Sequence, residues 1–132
     1  MADIREAAVA STISAVTITT TTETVVITSP PTDLPAPTIT AVILGWCQMT
    51  IGTACTAVTP RIRRGTTITA PLVGAANAEA IKTAVGSNEP FFLMLSESLV
   101  NLDQVQYSFT VQQTAATGNG NALLSSILVL LM

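Results

Sequence analysis

Histidine is absent from this chain of 132 residues, and charged residues make up only 10% of it. Without imidazole there is neither a Ser-His-Asp nor a Cys-His catalytic arrangement, and no His-ligated metal. The eight carboxylates, Asp3, Glu6, Glu23, Asp33, Glu79, Glu89, Glu97 and Asp103, are scattered, with no spacing that pairs two of them for acid–base work. No P-loop and no GxGxxG occurs. The sequence therefore supports no enzymatic activity and calls for no cofactor. Two cysteines are too few for a disulfide-dependent scaffold, and with no histidine they cannot complete a zinc knuckle. No apolar run approaches the ~20 residues of a spanning helix, although the length leaves room for a small strand barrel. The acidic N-terminus, with Asp3 and Glu6, lacks the positive start and apolar stretch of a signal peptide, so synthesis in the cytoplasm without export is expected. Net charge is −3 and the pI is near 4.6, which offers no general attraction to nucleic acid or anionic lipid.

What remains is an apolar chain with an uncharged polar surface. Apolar residues reach 48%, mean hydropathy is +0.57, and threonine occurs 22 times. Neither Leu34–Pro60 nor Gln104–Met132 contains a charged side chain. Soluble monomers normally spread charge over their surface, which keeps them apart. A neutral polar surface can be covered by a partner at little desolvation cost. These features point to an assembly component.

Threonine sits among valine and isoleucine in short alternating runs, and β-branched side chains suit a pleated sheet. Gln104–Gln113 alternates most clearly, with Val105, Tyr107, Phe109 and Val111 on one face and neutral polar residues on the other. Weaker strands are expected near Ser14–Thr19, Glu23–Thr28, Thr38–Thr50, Ala54–Arg64, Thr66–Ala70, Pro90–Ser98 and Asn121–Leu131. Ser29–Pro37, rich in proline, reads as an extended connection. Gly118–Asn121 can supply the positive-φ positions of a tight hairpin. Eight or so short strands predict a single-domain, all-β sandwich of jelly-roll type over residues 13–132, preceded by a short N-terminal arm over 1–12. Asp3 as N-cap and Glu6 three residues on predict a short helix over Asp3–Ala10. Gly74–Ala84 is composed as a second short helix. The threonine tract Thr17–Thr24 is similar to the TxT ladders of ice-binding solenoids, but no fixed period continues.

Three features bear on sites. If Thr50–Gly52 is a three-residue hairpin loop, Cys47 faces Cys55 at bridging distance; the alternative is two buried free thiols. Arg61, Arg63 and Arg64 hold three of the five basic residues. They read either as an exposed strand face with Arg64 paired to a carboxylate, or as a dock for an acidic partner patch. Thr38–Ile51 and the C-terminal strand are apolar on both parities. Val42, Leu44 and Trp46 oppose the core-facing set, as do Leu128, Leu130 and Met132. A strand apolar on both faces is covered on both faces, so these residues are expected at an interface between subunits, the alternative being a cover from Ser29–Pro37 or Gly74–Ala84 within the subunit.

The succession of Trp46, Thr59–Gly65, Gln104–Gln113, Thr117–Gly120 and a final apolar strand resembles small jelly-roll auxiliary proteins, the decoration or cement proteins of tailed-phage capsids. The resemblance covers about Thr38–Met132. It implies a homotrimer that binds a lattice of major capsid protein on the virion surface. The competing reading is a subunit of a tail or cell-surface fibre, or another β-rich adhesive module, with the neutral loop Thr114–Asn121 suited to carbohydrate.

Overall fold

The computed structural model describes residues 4–75, 78–80 and 88–132. Twelve strands are defined among them: β1 Glu6–Thr12, β2 Val16–Ile18, β3 Thr24–Thr28, β4 Thr32–Asp33, β5 Thr38–Thr50, β6 Ala57–Arg64, β7 Leu72–Val73, β8 Glu79–Ala80, β9 Asn88–Val100, β10 Gln104–Val105, β11 Tyr107–Thr114 and β12 Gly120–Leu131. One sheet runs β1-β12-β5-β9, with β2 also on β12; the other runs β3-β11-β6-β7, with β8 also on β6. A short ribbon pairs β4 with β10. Treating β1 and β2 as one broken strand, the chain order across the sheets is first-eighth-third-sixth over second-seventh-fourth-fifth. All paired neighbours are antiparallel. This is a jelly-roll β-sandwich, as the alternation predicts.

The core lies between the sheets and follows the period of two. From the first sheet come Ile39, Ala41, Ile43, Cys47 and Met49 of β5, Ile127, Val129 and Leu131 of β12, and Phe91 and Leu99 of β9, all buried. Facing them are Val58 and Ile62 of β6 and Tyr107, Phe109 and Val111 of β11. The inward set on Gln104–Gln113 is the one its alternation indicates. Gly45 interrupts the inward row of β5 because the Phe109 ring occupies that space; a β-carbon there would collide with Cδ2 and Cγ of the ring.

Several local expectations give way to the topology. The N-terminal arm is extended, not helical: Glu6–Thr12 pairs along β12, from Glu6 opposite Leu131 to Thr12 opposite Ser125. A helix this short is not stable alone, whereas the edge of β12 offers a full ladder of backbone partners. Of Gly74–Ala84, Glu79–Ala80 is strand paired with Ala57–Val58, and residues 76, 77 and 81–84 lie outside the described residues. Thr66–Ala70 is a turn, closed by the Ala70 amide donating to the Thr67 carbonyl at 3.1 Å. Gly118–Asn121 does not close a hairpin, since β11 and β12 belong to different sheets. The positive φ in that connection falls on Ala115.

The same crossing removes the hairpin on which the Cys47–Cys55 bridge depended and leaves the alternative of two buried free thiols. After Thr50 the chain leaves the first sheet and enters the second at Ala57, so β5 and β6 are not neighbours. Cys47 pairs across the sheet with Phe91 and Ser125, and Cys55 lies in the connecting loop. Both are free, buried thiols.

Candidate interface face

Strand register assembles the residues that the sequence marks as apolar on the wrong parity. On the outer face of the first sheet, one row across the strands is Val9, Leu128, Leu44 and Met94. The row on one side is Ala7, Leu130, Val42 and Ser96; on the other side it is Ser11, Ser126, Trp46 and Phe92. Met132 continues this face, with its backbone bonded in both directions to Thr40 at 2.8 and 3.0 Å. Val42, Leu44, Trp46, Leu128, Leu130 and Met132 are half-buried by their neighbours, while Val9, Phe92 and Met94 are about 60% exposed. Across β5, β9 and β12 this face carries no charged side chain. A hollow of about 400 Å³ beside Trp46 is lined by Ser11, Thr12, Ile13, Leu124, Ser125 and Ser126.

Sequence reasoning found the β5 and β12 contributions but missed Phe92, Met94 and Val9. The signal was present: Phe91–Leu95 is apolar at every position, which marks a strand apolar on both faces. The Ser29–Pro37 connection borders the β1 margin of this face, where Pro30–Asp33 lines a hollow with Glu6–Val9. Its Leu34 and Ala36 pack against the core, and Leu34–Pro37 borders Asn101–Asp103 at the end of the sandwich.

The opposite outer face is different in kind. Arg63 and Glu23 form a two-point ion pair, Nε to Oε2 at 2.6 Å and Nη2 to Oε1 at 2.8 Å. The remaining Arg63 amino group donates to the Ala70 carbonyl at 2.8 Å. Thr110 donates to Glu23 Oε2 at 2.7 Å, and Arg61 donates to Gln112 Oε1 at 2.8 Å while standing 3.5 Å from Glu23. Burial pushes the Glu23 carboxyl upward, but hydrogen bonds from Arg63 and Thr110 and the charges of Arg63 and Arg61 outweigh it and hold it below its ordinary range. Glu23 in turn raises Arg63. Arg61 and Arg63 are therefore engaged within the subunit and lie on the face away from Trp46. Their geometry gives the alternative of an acidic-partner dock no support. The network also buries Ser108 and Thr110, which alternation alone would place in solvent.

Arg64 points the other way, between the sheets, with Nε 3.6 Å from Glu97 Oε1. That is the carboxylate pairing the sequence suggests for it. Tyr107 donates to the same oxygen at 2.7 Å. At the far end of the sandwich the buried Gln113 amide joins three loops. It accepts from the Gly52 amide at 2.7 Å and donates to the carbonyls of Thr20 and Gly118 at 2.9 and 3.3 Å. Burial pushes the Cys47 thiol up to about 12, and raises Cys55 as well. Among the described residues there is no cluster of metal-ligating side chains, and no helix is long and apolar enough to cross a membrane.

No protein-family model and no curated protein matches the chain. Solved structures do. The VP2 subviral particle of infectious bursal disease virus aligns over 98% of this chain and 33% of its own, with a TM-score of 0.57 at 9% identity. The T=1 particles derived from the same virus align over 96% of this chain and 32% of theirs, with a TM-score of 0.57 at 8% identity. A Bacillus endospore appendage protein, from disulfide-linked pili, aligns over 98% of this chain and 94% of its own, with a TM-score of 0.40 at 16% identity. The fold thus defines the class: a jelly-roll sandwich of the kind found in viral capsid proteins. The chain spans about a third of the length of the capsid chains it matches.

Proposed function

We propose that the chain is a structural virion protein, a homotrimeric decoration or cement protein that binds and stabilises a capsid lattice. The observation that carries this reading is the outer face of the first sheet. It is apolar from Val9 at one edge to Met94 at the other and uncharged across β5, β9 and β12, on a fold shared with particle-forming capsid chains. A patch of that composition left in water is an aggregation liability, so it is a surface made to be covered. The opposite face, with Glu23, Arg61 and Arg63 engaged among themselves, supports a solvent-facing role. The chain then works by packing, holding neighbouring capsomers together without chemistry. The test is sedimentation of the purified chain followed by pull-down from intact particles. The reading expects a trimer that recovers major capsid protein; a stable monomer at micromolar concentration that recovers none would sink it.

A further inference from the structure

A jelly roll has four sheet edges, and exposed edges invite pairing with other chains unless they are short, bulged or charged. Three of the four edges here are limited in this way or short. β3 has five residues and a register shift against β11. β7 has two residues. β1 has seven, mostly small ones. The fourth edge, β9, is thirteen residues long and pairs with β5 from Asn88 opposite Thr50 to Val100 opposite Thr38 without a shift. Among the described residues no strand lies on its other side. It carries no Lys or Arg, its only proline is Pro90 near its start, its inward Glu97 is engaged by Tyr107, and its other carboxylate, Glu89, is buried. Phe92 and Met94 stand exposed along it.

We propose that β9 pairs along this edge with β1 of a second copy of the chain, extending the first sheet from subunit to subunit. The inference rests on the reading that the chain assembles with itself. Four observations favour β1 as the occupant. The sheet has four main strands in strict alternation, so β1 of an identically oriented neighbour arrives antiparallel to β9. Ala7, Ala8, Ala10 and Ser11 are small and let the backbones approach. The apolar row Val9–Leu128–Leu44–Met94 has its two exposed ends at β1 and β9, and the junction brings those ends together. An open groove of about 380 Å³ beside β1, lined by Glu6–Val9 and Pro30–Asp33, leaves room for a neighbouring edge. Such a head-to-tail contact can close into a ring of three, whereas β9 against β9 builds only pairs.

The test uses exposed positions whose replacement leaves packing intact. The double variant Val9→Cys/Met94→Cys is oxidised beside each single variant, with Phe92→Cys and Ser96→Cys in place of Met94→Cys to cover the registers two residues away. The native Cys47 and Cys55 are buried and do not compete. The expected result is disulfide-linked multimers from a double variant and none from any single variant. A linked dimer from Met94→Cys alone would show β9 against β9 and overturn the proposal. Absence of cross-links in all three registers, with the oligomer intact by sedimentation, would overturn the edge pairing and leave the assembly reading standing. A monomeric wild-type chain would remove both.

Discussion

The Tyr107 hydroxyl reaches across the gap between the two sheets and donates to Glu97 Oε1 at 2.7 Å. Tyr107 is wholly buried and is the chain's one tyrosine. Burial raises its ionisation well above the ordinary range, and the Glu97 carboxylate adds to the shift. The neutral phenol is thus favoured in the fold. Stability from this group is fully present below the unfolded value of roughly 10 and falls as pH rises above it. Tyrosinate absorbance should therefore appear only together with unfolding in an alkaline titration. Tyr107→Phe should cost about 1.5–3 kcal/mol at neutral pH, the usual range for a bond to a charged group, and should flatten the alkaline loss.

Glu23 works in the opposite direction. Its carboxyl is held low by Arg63, Thr110 and Arg61, so its contribution is present above the unfolded value and is lost as pH falls through the folded one. Urea midpoints measured down through the carboxylate range should decline for the wild type and decline less for Glu23→Gln. At neutral pH, Glu23→Gln should already be destabilised by about 1–3 kcal/mol, because the guanidinium of Arg63 loses its partner.

Gln113 is an amide side chain buried to 1% exposure. Replacement by Ala strands the Gly52 amide and frees two loop carbonyls. A loss of roughly 2–4 kcal/mol is expected in chemical denaturation. Faster amide exchange should appear at Gly52 first. The same loop cannot be repaired by adding bulk, since a β-carbon on Gly52 would collide with the Gly118 carbonyl oxygen.

Trp46 tests the face. It is half-buried on the outer side of β5, opposite Ser126 and Phe92. Trp46→Ala should weaken assembly by about 2 kcal/mol or more, as interface tryptophans do. Circular dichroism of the variant should stay that of a β-sandwich. Loss of fold and assembly in one coincident transition, or an unchanged oligomer, would count against the interface.

The cysteines offer a further check. Cys47 is fully buried with its thiol pushed up to about 12. Cys55 donates to the Ala57 carbonyl at 3.1 Å. A thiol reagent should leave Cys47 unmodified in the native protein and label both cysteines after unfolding without reductant. Labelling of neither after unfolding would indicate a bridge.

What the sequence determined by itself is the local side-chain period. Alternation in Val105–Val111 selects the core face, and the double apolar parity of Val42–Trp46 and Leu128–Met132 marks a second apolar face, because a strand offers only two sides. Partnership was decided by the tertiary structure. In this topology most connections cross from one sheet to the other, so the turn residues between two strands do not say that those strands pair. That is why the Cys47–Cys55 ladder and the Gly118–Asn121 hairpin do not form, and why Glu6–Thr12 becomes a strand only beside β12, more than a hundred residues away in sequence. The same long-range register aligns Val9, Leu128, Leu44 and Met94 into one row. No short window of sequence holds that row, because backbone hydrogen bonding between distant strands creates it.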